Sequence, residues 1–121
     1  MGDSAFWTTI SAVFTGWYDV KMIIERAGMV STDALHVIAG ALLQLLFGSI
    51  LRRPLSAWLP WLLVLGLLLF NEAVDLWVER WPSLAMQIGE GVKDLLLTMI
   101  LPTALLVAFR ISPGLRSGRR R

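Results

Sequence analysis

The stretch from Leu55 to Val78 restricts this chain more than any other feature: Leu62–Phe70 has six leucines in nine residues and no polar side chain, and no charge appears before Glu72. An apolar run of more than about 18 residues is long enough to cross a bilayer core of roughly 30 Å as a helix. It is also too apolar on every side to be the inner face of a water-soluble helix. Two more runs are of the same kind. Ala34–Leu51 has His36, Gln44 and Ser49 as its strongly polar members and is closed by Arg52-Arg53-Pro54. The last extends from about Val92 to Phe109, entered by Lys93-Asp94, left at Arg110 and containing Pro102. A proline inside a span is tolerated where neighbours satisfy the carbonyl that it frees, and a kink is expected there. Composition agrees with lipid as the solvent: 56% of residues are hydrophobic and mean hydropathy is +0.68, outside the range of ordinary soluble domains.

Residues 1–30 read differently, because Thr8, Thr9, Ser11, Thr15, Asp19, Lys21, Glu25 and Arg26 interrupt the apolar positions. Phe6, Ile10, Val13, Trp17, Val20, Ile24 and Ala27 nevertheless recur in steps of four and three, the spacing of one helical face, with Trp7 and Phe14 widening it. Asp3 or Ser4 can cap the start and Gly28 can end the helix. The expectation is an all-α membrane protein with three transmembrane helices over residues 31–110 and an N-terminal amphipathic helix, residues 1–30, lying in the interface plane. The alternative is four transmembrane helices, and a helix packed on a partner subunit would show the same pattern. Residues 111–121, ending in Arg119-Arg120-Arg121, read as a disordered basic tail. The start lacks the basic flank of a signal peptide, and Phe6 stands where a myristoylation signal wants Ser or Thr, so no cleaved or lipidated leader is expected.

Basic residues orient such a bundle. Arg52, Arg53, Arg110, Arg116, Arg119, Arg120 and Arg121 fall at one membrane face, while Lys21, Arg26, Arg80 and Lys93 fall at the other. The first group marks the cytoplasmic side, where it meets anionic lipid, so the C-terminus is expected inside and a loop from about Glu79 to Gly91 outside. Trp58 and Trp61 near the inner side, and Trp77 and Trp81 near the outer, fit aromatic belts at both interfaces.

All nine carboxylates, by contrast, belong to the outer side. Asp33 and His36 open the first span, Glu72 and Asp75 lie late in the second, and Glu90 and Asp94 open the third. Up-and-down helices bring these ends together, and each pair, three or four residues apart, shares a face. Polar or small residues continue two of the faces inward: His36, Gly40 and Gln44, and Asp94, Thr98 and Pro102. Three readings stay open for this cluster. Its members cap helices and glue them together, paired with Lys93, Arg80 or His36; or they bind a substrate headgroup or a partner; or His36, Asp33, Glu72, Asp75 and Asp94 hold a divalent cation, with His36, Glu72 and Asp94 the leading ligands, since imidazole with carboxylates suits Zn, Mn or Fe. No other cofactor is expected. With no Cys, thiolate metal sites, disulfides and cysteine nucleophiles are excluded. No Ser-His-Asp spacing, phosphate loop, zinc-protease motif or nucleic-acid motif is present.

Asp33-Ala-Leu-His36 before an apolar span, then Leu-Phe-Asn-Glu72-Ala-Val-Asp75, then Gly-Glu90-Gly-Val-Lys-Asp94-Leu-Leu-Leu, resembles the VanZ-like family of small bacterial membrane proteins over about residues 31–110. The resemblance implies a helical protein of the bacterial inner membrane whose polar cluster at the outer face matters, and it supplies no mechanism. The preferred expectation is a non-catalytic accessory or structural subunit that associates with lipids and with other membrane subunits or itself. The alternative is a membrane enzyme or binder of a lipid-linked substrate at the outer leaflet, with Asp33, His36, Glu72 and Asp94 as catalytic candidates and a carboxylate or His36 as general base. An ion pathway fits less well, because Val64–Leu69 offers no polar relay.

Overall fold

A computed structural model describes residues 2–28 and 31–112, and they form four helices: α1 (Gly2–Gly28), α2 (Thr32–Ile50), α3 (Trp58–Val78) and α4 (Leu84–Ile111). The basic positions Arg116, Arg119, Arg120 and Arg121, with most of the expected tail, lie outside the described residues. The helices α2, α3 and α4 are long and apolar enough to cross a membrane, and α1 is not among those that qualify. At about 1.5 Å per residue, α2 and α3 match the hydrocarbon thickness while α4, at roughly 42 Å, exceeds it. The third span therefore starts earlier than its hydropathy suggests, at Leu84 where about Val92 was expected, and the connection between α3 and α4, expected outside, shrinks to Glu79–Ser83. Ser83 is the reason, since its side chain accepts from the Met86 N–H at 3.1 Å and nucleates a helix through Gly89 and Gly91. Asp3 and Ser4, expected as caps, lie inside the first turn of α1.

The spans run up, down and up, so α2 and α4 are parallel with α3 antiparallel to both. Their shared core is small: Val64, Leu68 and Met99, flanked by Leu43, Phe47, Trp61, Leu65 and Leu95. Large apolar side chains such as Ile38, Leu42, Leu46, Ile50, Leu62, Leu96, Ile100 and Ile111 point outward and stay exposed, an arrangement that water would oppose and lipid accepts. The closest approach of backbones is between α2 and α4. Pro102 has no N–H to give the Thr98 carbonyl, and Gly40 packs directly on that freed carbonyl. A side chain at residue 40 would overlap it.

Helix α1 leans on α3 with a mixed face. Ile10, Ser11, Phe14, Tyr18, Lys21, Met22 and Glu25 are its half-buried positions, again in steps of three and four. Trp7 stacks on Trp77 at 6.2 Å, Phe14 meets Phe70 and Trp77 edge-on, Trp17 donates to Asn71 Oδ1 at 3.1 Å, and Lys21 pairs with Asp75. From Trp7 to Lys21 is about 21 Å of α1, yet their partners span only Phe70–Trp77, about 10 Å of α3. An antiparallel fourth span would track α3 along its length; α1 instead crosses its last turns. The apolar stripe foreseen for α1 is left open, with Phe6, Val13, Trp17, Val20 and Ile24 all exposed and only Ile10 half-covered. The polar Thr8, Asp19 and Arg26 lie on the opposite side. α1 thus shows an exposed apolar stripe and an exposed polar side while one flank packs on α3, the pattern expected of an interfacial helix.

Candidate functional site

The end of the bundle that gathers the acids is built by three helix termini. Ser31 caps α2 by accepting from the Ala34 N–H at 3.2 Å, Ser83 caps α4, and α3 ends beside them at Val78. Asp33 lies in the first turn of α2, where the helix dipole favours an anion. The opposite end carries the described basic residues of the inner group. There Arg110 donates to the Ser56 carbonyl at 3.0 Å and lies over Trp58 at 4.7 Å, next to the Arg52-Arg53 turn, while Trp58 packs edge-on against Trp61.

The six expected cluster residues divide into separate groups. At the rim, Lys93 bridges α2 and α4, 3.1 Å from Asp33 and 2.6 Å from Glu90. Inside, His36 Nδ1 is hydrogen-bonded to Thr98 Oγ1 at 3.0 Å, and its Nε2 faces Asp94 Oδ2 at 3.4 Å. Asp94 is 7% exposed and its Oδ1 has no hydrogen-bond partner among the described residues. On the flank, Asp75 is held by Lys21 and by Asn71 Nδ2 at 3.4 Å, and its backbone carbonyl accepts from Gln87. Arg80, an expected partner for the acids, is in none of these ion pairs. Glu72 stands between the groups, at 3.4 Å from Asn71 Nδ2 and against the bare backbone of Gly91.

Between α1 and the three spans these groups surround one cleft of about 440 Å³. Glu72, Asp75, Glu90, Asp94 and His36 line it from the spans, while Tyr18, Lys21, Met22 and Glu25 close it from α1 and Trp81 from the loop. Leu69, Leu76, Ile88, Val92 and Leu95 give it an apolar wall. Tyr18 donates toward Glu79, and burial first, then the charges of Glu79 and Asp75, hold its phenol above the ordinary range, so it stays a neutral donor. Asp33, though expected in the site, is exposed at the rim and does not line the cleft. The contribution of α1 was not foreseen. Lys21 and Glu25 look in sequence like the polar side of an amphipathic helix, and only the crossing angle turns them inward.

A divalent cation fits these residues poorly as they stand. Among the described residues one group of carboxylates has ligand atoms within 4.8 Å of one another, Asp33, Glu90 and Asp94, and by distance it could hold an ion. His36 and Glu72 stand outside that group, and His36 Nδ1 is already bonded to Thr98. Lys93 bonds two of the three carboxylates, so its ammonium already supplies the charge that a metal would bring. Buried deepest on this stripe, Gln44 is fully enclosed with neither amide atom bonded among the described residues. Compared with known protein families, curated proteins and solved structures, the chain matches none of them.

Proposed function

We propose that this chain is a small multi-pass membrane protein that binds the headgroup of a membrane amphiphile, a lipid or a lipid-linked substrate, in the cleft under α1. One observation carries this reading: the cleft is charged along its rim and floor yet apolar along one wall, and it opens where an interfacial helix meets three spans. Such a surface suits a molecule with a polar head and a hydrocarbon tail lying at headgroup depth. Binding is favoured over catalysis, because His36 serves to hold α2 to α4. The proposal includes the sidedness read from the sequence, with the cleft at the outer face of a bacterial inner membrane and the C-terminus inside, and the kinship to the VanZ-like family. Mild extraction followed by mass spectrometry of bound lipid tests it. About one amphiphile per chain is expected, reduced by Gly91→Leu, whose side chain would enter the cleft beside Glu72. An empty wild-type protein would refute it.

The second reading is a non-catalytic accessory subunit of a larger membrane assembly. The bare apolar exterior of α2–α4 favours it, since no more than 28% of any span is buried inside the chain and either lipid or neighbouring subunits must cover the rest. A stable co-purifying membrane protein together with an empty cleft would establish this reading in place of the first.

A further inference from the structure

The ammonium that lines the cleft, that of Lys21, is already committed. Lys21 pairs with Asp75, and His36 is held by Asp94 and Thr98. Glu25, Glu72 and Glu79 line the same cleft and form no ion pair among the described residues. Asp94 lines it too, on a side chain nine-tenths buried, and its Oδ1 is an acceptor with no donor among the described residues. A buried carboxylate oxygen without a donor is costly, and a bound group that brings N–H and positive charge removes the cost. An anionic head would add repulsion, and a neutral head would leave the charge imbalance standing. The cleft already shows how it treats an ammonium: that of Lys21 lies 5.6 Å from the centre of the Tyr18 ring and against Asp75, a cation held by a carboxylate and an aromatic face. Glu72 lines the same cleft with no cation of its own among the described residues, and Leu69, Leu76, Val92 and Leu95 lie alongside for a tail.

We infer that the cleft takes a cationic amphiphile, a primary ammonium head seated between Glu72 and Asp94 with its hydrocarbon chain along the α3–α4 wall. This rests on the headgroup-binding reading and narrows it to one charge class. The test uses the full chain in phosphatidylcholine nanodiscs, titrated calorimetrically with dodecylamine, dodecanol and dodecyl phosphate, with empty nanodiscs subtracted. Dodecylamine is expected to bind saturably and at least about tenfold more tightly than dodecanol, the preference expected of a charge-assisted hydrogen bond. Glu72→Gln should weaken the amine about tenfold and leave dodecanol unchanged. Should that variant fail to fold, Glu25→Gln, on the α1 side, should weaken the amine about threefold by removing a less direct charge. Dodecanol or dodecyl phosphate binding as tightly as the amine would overturn the cationic assignment while headgroup binding stands. Absence of saturable binding by all three would overturn both. Amine affinity unchanged in the folded variants would also defeat the assignment.

Discussion

Replacing Gly40 with alanine is the sharpest test of how α2 and α4 hold the site. An added Cβ would overlap the Thr98 carbonyl, which Pro102 leaves without its helical donor, and would lie 3.1 Å from Thr98 Cγ2. Restoring an ordinary C···O contact of about 3.3 Å requires roughly 1 Å of separation between two backbones, neither of which can swing aside. That movement carries His36 away from Thr98, whose 3.0 Å hydrogen bond has little reserve, and from Asp94 at 3.4 Å. Overpacking costs about 1–3 kcal/mol and a lost hydrogen bond about 1 kcal/mol, against a gain in helix propensity of up to about 1 kcal/mol. The net expectation is a loss of about 1–3 kcal/mol, read from equilibrium unfolding in mixed micelles followed by circular dichroism. Gly66→Ala is the internal control. It meets nothing within 4 Å, so the propensity term stands alone and the same assay should show a gain of about 0.5–1 kcal/mol. If Gly40→Ala proved as stable as wild type, the close α2–α4 contact and the His36 geometry built on it would be refuted.

Three other substitutions give distinct outcomes. Arg52 closes α2 in the left-handed region, φ 52°, with the Arg53 N–H bonded to the Gly48 carbonyl and its own N–H to Ser49, so Arg52→Gly should raise stability by about 1 kcal/mol in the same unfolding assay; a loss would contradict that turn. Lys21→Met should leave Asp75 without its cation and cost about 1–3 kcal/mol. Limited proteolysis should then cut within α1 faster than in wild type, and an unchanged cutting rate would show that the ion pair does not fasten α1. Gln44→Leu removes two buried polar atoms that have no partner among the described residues and should be neutral or stabilising by about 1–2 kcal/mol in thermal unfolding. A marked loss would mean that the amide is satisfied within the folded protein.

The spans were legible because their signal is additive: no single residue of Leu62–Phe70 decides that a helix crosses lipid, and the run as a whole leaves no other solution. The amphipathic character of α1 was legible for the same reason. Two things were not. The start of α4 was hidden because Gly89, Gly91 and Glu90 read as loop, whereas Ser83 nucleates a helix that continues through them and beyond the hydrocarbon layer. The partition of the acids was hidden because ion pairs depend on azimuth and crossing angle. Asp33 and His36 share a face, yet Asp33 turns to Lys93 at the rim while His36 turns inward to Asp94. Lys21, 54 positions before Asp75, gives no local sign of its partner. Thr98 was visible as part of a polar stripe, but its part in fixing His36 appears only when Gly40 is seen to let the helices touch.

Whether α1 lies across the acidic end of the three spans, the end proposed as outer, is measured most directly by single-cysteine labelling, because the chain has no native cysteine. Thr8→Cys, Asp19→Cys and Glu79→Cys should all react with a membrane-impermeant maleimide on intact cells, while Arg53→Cys should react only after permeabilisation. Labelling of Asp19→Cys from outside but of Thr8→Cys only from inside would mean that α1 crosses the membrane, and the cleft that it closes would not exist as described.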